Sequence, residues 1–221
     1  MAPLSLTQDD KADRFRALHD APGAFVIPNP WDVGSARILA GLGFQALATS
    51  SAASASALGR RDGGLTRDEA LEHARTIVGA TELPVSADLE KGFGDAPEIV
   101  GETVRLAAEA GLVGCTIEDS TGNQDHPLFD DRLAVERIAA AAEAARGLQF
   151  SFILTARAHN LLYGAPSLPD TIRRLQAFEA AGADVRRLTQ PPRPGCRLRR
   201  QCDASSAPRH SPAAAPPVAR A

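Results

Sequence analysis

A short apolar run followed by an amphipathic helical pattern recurs five times along this chain, and that alternation restricts its fold more than any other feature. Residues 24–27 (Ala-Phe-Val-Ile) read as a buried strand ended by Pro28-Asn29-Pro30. Asp32 can then cap a helix carrying Ala36, Ile38, Leu39 and Leu42, which Gly41 and Gly43 stop. Residues 46–49 form a second strand, and the small residues at 50–64 read as a loop. Thr66 and Glu69 have the spacing of a capping box, and the helix they open runs to about Gly79. Strands at 85–88, 113–117 and 150–155 follow, each succeeded by a helical pattern: 99–110 behind Pro97, then 133–145, then 169–181. Residues 182–185 open a sixth strand. Successive β-then-α units imply parallel strands joined by right-handed crossovers. An open doubly wound sheet and a closed (β/α)8 barrel both fit. The absence of G-x-G-x-x-G after the first strand weakens the dinucleotide-binding form of the open sheet.

The rest of the composition narrows the class. Hydrophobic content of 44% with 23% charged residues is that of a soluble globular chain, with no apolar stretch long enough to span a bilayer. The start lacks a basic segment followed by an apolar one, so no secretion signal is read there. Cys115, Cys196 and Cys202 show neither a disulfide framework nor metal spacing, which makes the cytoplasm the expected location. The net charge of -3 is unevenly spread: residues 186–221 hold eight Arg against one acid, Asp203, so the body is strongly acidic. An acidic body speaks against a nucleic-acid surface.

In α/β proteins of either topology, reactive residues gather at the carboxyl ends of the strands. Here those ends carry Asn29-Pro30-Trp31-Asp32, Ser50-Ser51-Ala52, Asp88-Leu89-Glu90, Glu118-Asp119, and Arg157 with His159. Asp88 and Glu90 have period-2 spacing and can point to one side of an extended segment. With Glu118 they form a set of hard oxygen ligands of the kind Mg²⁺ takes, alongside waters and substrate oxygens. Solvated acids or helix caps are the competing reading. Cys115, inside a strand, reads as a small buried apolar residue.

These segments together resemble the isocitrate lyase/phosphoenolpyruvate mutase superfamily. Asp88-Leu89-Glu90-Lys91-Gly92-Phe93-Gly94 resembles its D-x-D-T-G-[YF]-G loop, and Ile117-Glu118-Asp119 its [IL]-E-D. Leu154-Thr155-Ala156-Arg157 is similar to [IV]-x-A-R, and Asn29-Pro30-Trp31-Asp32 to N-[AP]-W-D. Thr49-Ser50-Ser51-Ala52 with Leu58-Gly59-Arg60-Arg61-Asp62 is similar to S-G-x…L-G-x-x-D. The five matches come in order and span residues 13–185. The resemblance implies a (β/α)8 TIM-type barrel, dependence on Mg²⁺ (with Mn²⁺ as substitute), and small carboxylate substrates that are 2-oxo acids or yield them. Carried over by position, Asp88 and Glu118 would hold the ion, with Glu90 ligating directly or through water. Arg157 would grip a carboxylate or the transferred group, and Asp62 would orient a metal-bound water. Ser50, with the backbone N–H groups of Ser51 and Ala52, would bind the other carboxylate end. No membrane or nucleic-acid partner is implied, and family members are often homo-oligomers that exchange their last helix.

Three departures qualify the resemblance. Glu90 stands where the family has Asp. The K-[KR]-C-G-H loop of the lyases is replaced by Ser120-Thr121-Gly122-Asn123-Gln124-Asp125-His126, without Cys, so Asn123 or His126 becomes the expected catalytic group of a mutase, hydrolase or decarboxylase. After Val185 the pattern gives way to an Arg/Pro/Ala-rich stretch with no periodic apolar face. Since such a barrel takes about 250 residues, the expectation is a partial barrel of about five and a half units over 1–185. Residues 186–221 are then read as out-of-frame translation of a GC-rich gene, with a natural disordered basic tail as the alternative. A catalytically inactive fragment is the alternative to an active enzyme.

Overall fold

The computed structural model describes residues 6–163 and 168–189. Its five strands are β1 (Leu47–Ala48), β2 (Val85–Asp88), β3 (Gly114–Glu118), β4 (Ile153–Ala158) and β5 (Val185–Leu188). All pair in parallel, in the order β1-β2-β3-β4-β5. That order decides between the two topologies the alternation allows. A doubly wound sheet reverses its direction of growth at a switch point, whereas here every strand is added on the same side as the last. The described part is therefore an open half of a (β/α)8 barrel. Helices α1 (Gln8–Asp20), α2 (Val33–Gly41), α3 (Ser51–Ala57), α4 (Arg67–Val78), α5 (Pro97–Glu109), α6 (Asp131–Arg146) and α7 (Leu168–Ala180) alternate with the strands.

Local chemistry starts most of these helices where the sequence places them. Asp32 accepts from Ser35 N at 2.6 Å, Thr66 and Glu69 form the capping box, and Asp130 accepts from Leu133 N. The strands bury one face against the helices: Val85, Ala87, Cys115, Ile117, Leu154 and Ala156 pack with Leu71, Val104, Ile138 and Phe178. Cys115 is fully buried, as expected of a small apolar residue. The alternate residues, Asp88, Thr116, Glu118, Thr155 and Arg157, take the opposite face.

Three segments differ from expectation. Residues 24–27 do not join the sheet as a strand; Pro28 O accepts from Ala48 N, and the ladder goes no further there. Pro28 and Pro30 have no N–H to continue it, and Val26 is 68% exposed, so the run is not a buried one. The presumed loop at 50–64 begins as helix α3, which Ser50 caps through Ala53 N. Its four alanines and lack of Gly or Pro favour helix although no apolar stripe announces one. Helix α1 was not foreseen either. Thr7 and Asp10 form its capping box, and Phe15 and Ala12 cover the amino ends of β3 and β4 with Val113 and Ile153. Gly114 admits this packing, since a Cβ there would lie 2.8 Å from Ile153 O and 3.0 Å from the Phe15 ring.

The sixth strand anticipated at Val185 is β5, which runs to Leu188, and Arg187 stands beside Arg157 in the register. The expectations for the rest of the C-terminal stretch, from residue 190 on, lie outside the described residues. Among the described residues no helix is long and apolar enough to cross a membrane.

Candidate active site

Strand register assembles the site. Glu118 and Arg157 are direct neighbours on β3 and β4, and Asp88 pairs with Thr116 one strand away. Arg157 Nη2 lies 2.7 Å from Glu118 Oε2, and its Nη1 lies 3.4 Å from Asp88 Oδ1. Its Nε donates to His159 Nε2 at 2.8 Å, and the same imidazole nitrogen lies 3.2 Å from Glu118 Oε2. Ser51, the first residue of α3, donates its hydroxyl to Asp88 Oδ2 at 2.9 Å. Asp88 thus sits among a hydroxyl, a guanidinium and the Glu90 amide.

A cavity of about 580 Å³ opens above this layer. Ser51, Asp62, Glu90, Glu118 and Arg157 line it, as does His159, which stands with Arg157 at its strand's carboxyl end; Ser120 and Tyr163, which sequence reasoning had not placed there, line it too. Ser120 Oγ and Tyr163 Oη hydrogen-bond at 3.1 Å on its wall. Period-2 spacing from Arg157 was the available signal for His159. Nothing comparable marks Tyr163, which arrives through the turn that follows β4.

Asp88 does not line the cavity itself but lies behind Ser51 and Arg157, which do, and four further anticipated residues are not brought there. Ser50 uses its hydroxyl to cap α3, and Ala52 is exposed on that helix. Asn123 and His126 lie exposed in the loop after β3. The Asn123 side chain accepts from Asp125 N, and the His126 carbonyl accepts from Thr121 Oγ1. Neither residue is among those that line the cavity.

The electrostatics are those of a site with too much negative charge. Burial pushes the Glu90 carboxyl up to about 7, with the charges of Asp88 and Asp62 adding to it. Burial likewise pushes Glu118 up to about 7, against the pull of Arg157 and with the push of Asp88 and Glu90. Among the described residues no three His, Cys, Asp or Glu side chains already converge at ligating distance. The donor set nevertheless fits a divalent cation that binds through a few carboxylates and keeps several waters. It consists of hard oxygens only, and its raised carboxyls are the groups a cation would relieve.

A pH dependence follows. The unfolded chain releases the Glu90 and Glu118 protons near 4.5, while the folded, metal-free protein holds them to about 7. Their stabilising effect is therefore complete at low pH and is lost as pH rises through about 7. Burial depresses His159 to about 4, and its opposite contribution changes only below about 6.5. Between pH 6.5 and 8 the melting temperature in chelator is expected to fall by about 2–4 °C, after discounting for partial solvent screening. Saturating Mg²⁺ should remove that slope. A melting temperature that holds or rises over this interval in chelator would refute the assignment.

Comparison with known proteins agrees with this architecture. The family model for phosphoenolpyruvate phosphomutase matches residues 15–208. An oxaloacetate decarboxylase of Ectopseudomonas mendocina (strain ymp) is 36% identical over 177 residues, covering 77% of this chain and 59% of that protein. The crystal structure of a Burkholderia cenocepacia J2315 protein assigned as a lyase/mutase superposes with a TM-score of 0.81 at 57% identity, covering 82% of this chain and 65% of that one. A phosphonopyruvate hydrolase in complex with oxalate and Mg²⁺ superposes with a TM-score of 0.78 at 25% identity, covering 86% and 66%. The chain spans about three-fifths of the length of the curated relatives it matches. With matching motifs, strand order and superposition, the chain belongs to the phosphoenolpyruvate phosphomutase family, within the phosphoenolpyruvate mutase/isocitrate lyase superfamily.

Proposed function

We propose that the chain is a Mg²⁺-dependent enzyme that makes or breaks a C–C or P–C bond in a small 2-oxo acid. The pairing of Asp88 and Glu118 with Arg157 at the carboxyl ends of three adjacent strands, with Glu90 lining the same cavity, carries this reading. Asp88 and Glu118 would hold the ion, with Glu90 reaching it directly or through water. When bound, Mg²⁺ supplies positive charge where the 2-oxo acid accumulates electrons as the bond breaks.

The chain's own residues do the rest. Arg157 offers its two Nη groups to a substrate carboxylate, exchanging them from Glu118 and Asp88 once a cation neutralises those acids. His159 accepts from Nε and fixes the plane in which the guanidinium lies. Ser51 orients Asp88, and Asp62 at the cavity rim is placed to orient water. Ser120 and Tyr163 present hydroxyls to the far end of the substrate. Oxaloacetate, named for the decarboxylase relatives, and phosphonopyruvate, named for the hydrolase, are the first compounds to try.

The test is pyruvate release from oxaloacetate by the full chain, with and without Mg²⁺. Asp88→Ala should lower kcat/KM at least about 10²-fold while the protein still melts cooperatively. Pyruvate release that ignores both chelator and Asp88→Ala would overturn the metal assignment. A cooperative melt without turnover of either compound would favour the alternative, a folded but inactive partial barrel.

A further inference from the structure

The loop that carries Glu90 is held from behind by a residue with no place in the cavity. Arg137, in the middle of α6, is 1% exposed and ranks among the largest fully buried side chains. Its guanidinium donates Nη1 to the carbonyls of Gly94 and Asp95, and Nη2 to that of Lys91. Its flat face lies 4.0 Å from the centre of the Phe129 ring. A buried guanidinium ordinarily faces a carboxylate. All of Arg137's hydrogen-bond acceptors here are main-chain oxygens of a single five-residue stretch.

That stretch needs restraint. Glu90 and Phe93 both take left-handed backbone angles, with φ of 51° and 61°, although neither is Gly. Side chains with a Cβ leave that region unless the surroundings over-determine it. Thr103 ties down Gly92 O at 2.9 Å, and Gly92 N bonds back to Leu89 O at 2.8 Å. Arg137 grips the chain on both sides of Phe93, through Lys91 before it and Gly94 and Asp95 after it. Of this segment Glu90 and Lys91 line the cavity, which Asp62 and Glu118 also line. Burial also pulls Arg137 down to about 10, so the charge is kept there at a cost that an apolar helix residue would not incur.

We infer that Arg137 is a positioning residue, which from outside the cavity holds residues 90–95 in the turn that presents Glu90 to the cation. The inference rests on the proposed metal role of Glu90, and the test separates the two. Hydrogen exchange is measured on the full chain for wild type, Arg137→Met, Arg137→Lys and Phe129→Leu, and Mg²⁺ affinity by calorimetric titration. In Arg137→Met, amides 90–95 are expected to exchange at least about 10-fold faster while those of β3 and β4 change little. Mg²⁺ affinity should weaken about 10–100-fold, with kcat at saturating Mg²⁺ near the wild-type value. Arg137→Lys should rescue little, because an ammonium cannot span three carbonyls. Phe129→Leu keeps the hydrogen bonds and should fall between, which leaves a folded variant if Arg137→Met does not fold. Exchange that is unchanged at 90–95, or that rises uniformly through the protein, overturns the positioning role. If wild type binds no Mg²⁺, the metal reading of Glu90 falls, and the exchange data still decide whether Arg137 holds the loop.

Discussion

Replacing Arg157 by Met is expected to lower kcat/KM for a 2-oxo acid by about 10³-fold, or about 4 kcal/mol of transition-state stabilisation. Among the described residues the guanidinium is the one cationic group that touches both Asp88 and Glu118, and its Nε is already committed to His159. Arg157→Lys should recover no more than about tenfold, since a single ammonium cannot keep the His159 bond and offer two parallel donors to a carboxylate. The fold should tolerate the change better than the reaction does. Mg²⁺ would neutralise the acids that Arg157 leaves behind, so the variant's melting temperature should respond to Mg²⁺ more steeply than that of wild type. Steady-state kinetics with melts in chelator and in Mg²⁺ check both halves. A loss confined to KM at unchanged kcat would mean that Arg157 only binds substrate and does not serve the transition state.

The second large effect is on stability. Arg174 on α7 reaches inward to Asp119 Oδ2 at 3.1 Å, donates to Phe129 O, and also pairs with Asp131. The Asp119 side chain is 1% exposed, and its other oxygen accepts the His159 amide at 2.8 Å. Arg174→Met would leave that carboxylate buried without its cation, which costs about 3–5 kcal/mol and corresponds to a drop of about 10 °C in melting temperature. Asp119→Asn in the same chain keeps an oxygen for His159 N and removes the stranded charge, so the double variant should recover about 1–2 kcal/mol. Chemical denaturation of the two single variants and the double one completes the cycle. A single-variant loss below about 1 kcal/mol would show that Asp119 is rehydrated or protonated at little cost.

Much of the architecture was legible because its determinants are local. Asp32, Thr66 and Pro97 announce helix starts through hydrogen bonds made within three or four residues, and those helices begin where the spacing says. The apolar runs that became β2, β3 and β4 are buried on the helix-facing side and carry no proline. Where expectation and structure part, a non-local or low-contrast effect is responsible. The run at 24–27 has strand composition, but the flanking prolines deny it a ladder. Helix α3 is small and Ala/Ser-rich, with no apolar periodicity to reveal it.

The carboxylate cluster shows the same division within the site. Sequence alone determined which acids stand at strand ends and that Arg157 belongs with them, because strand periodicity and the ordered motifs are properties of the chain itself; the period-2 argument for Glu90 fails, since β2 ends at Asp88 and Glu90 takes a left-handed turn. Only the tertiary structure decided that the strands add in sequential order and that register sets Arg157 against Glu118. It also decided that Asn123 and His126 lie outside the cavity lining, and that Arg137 and Arg174 are buried rather than solvated on helices. Long side chains on α6 and α7 read as surface charges in one dimension. They find main-chain carbonyls and a buried carboxylate only when loops 90–95 and 118–130 fold back over the helices, and no spacing rule encodes that meeting.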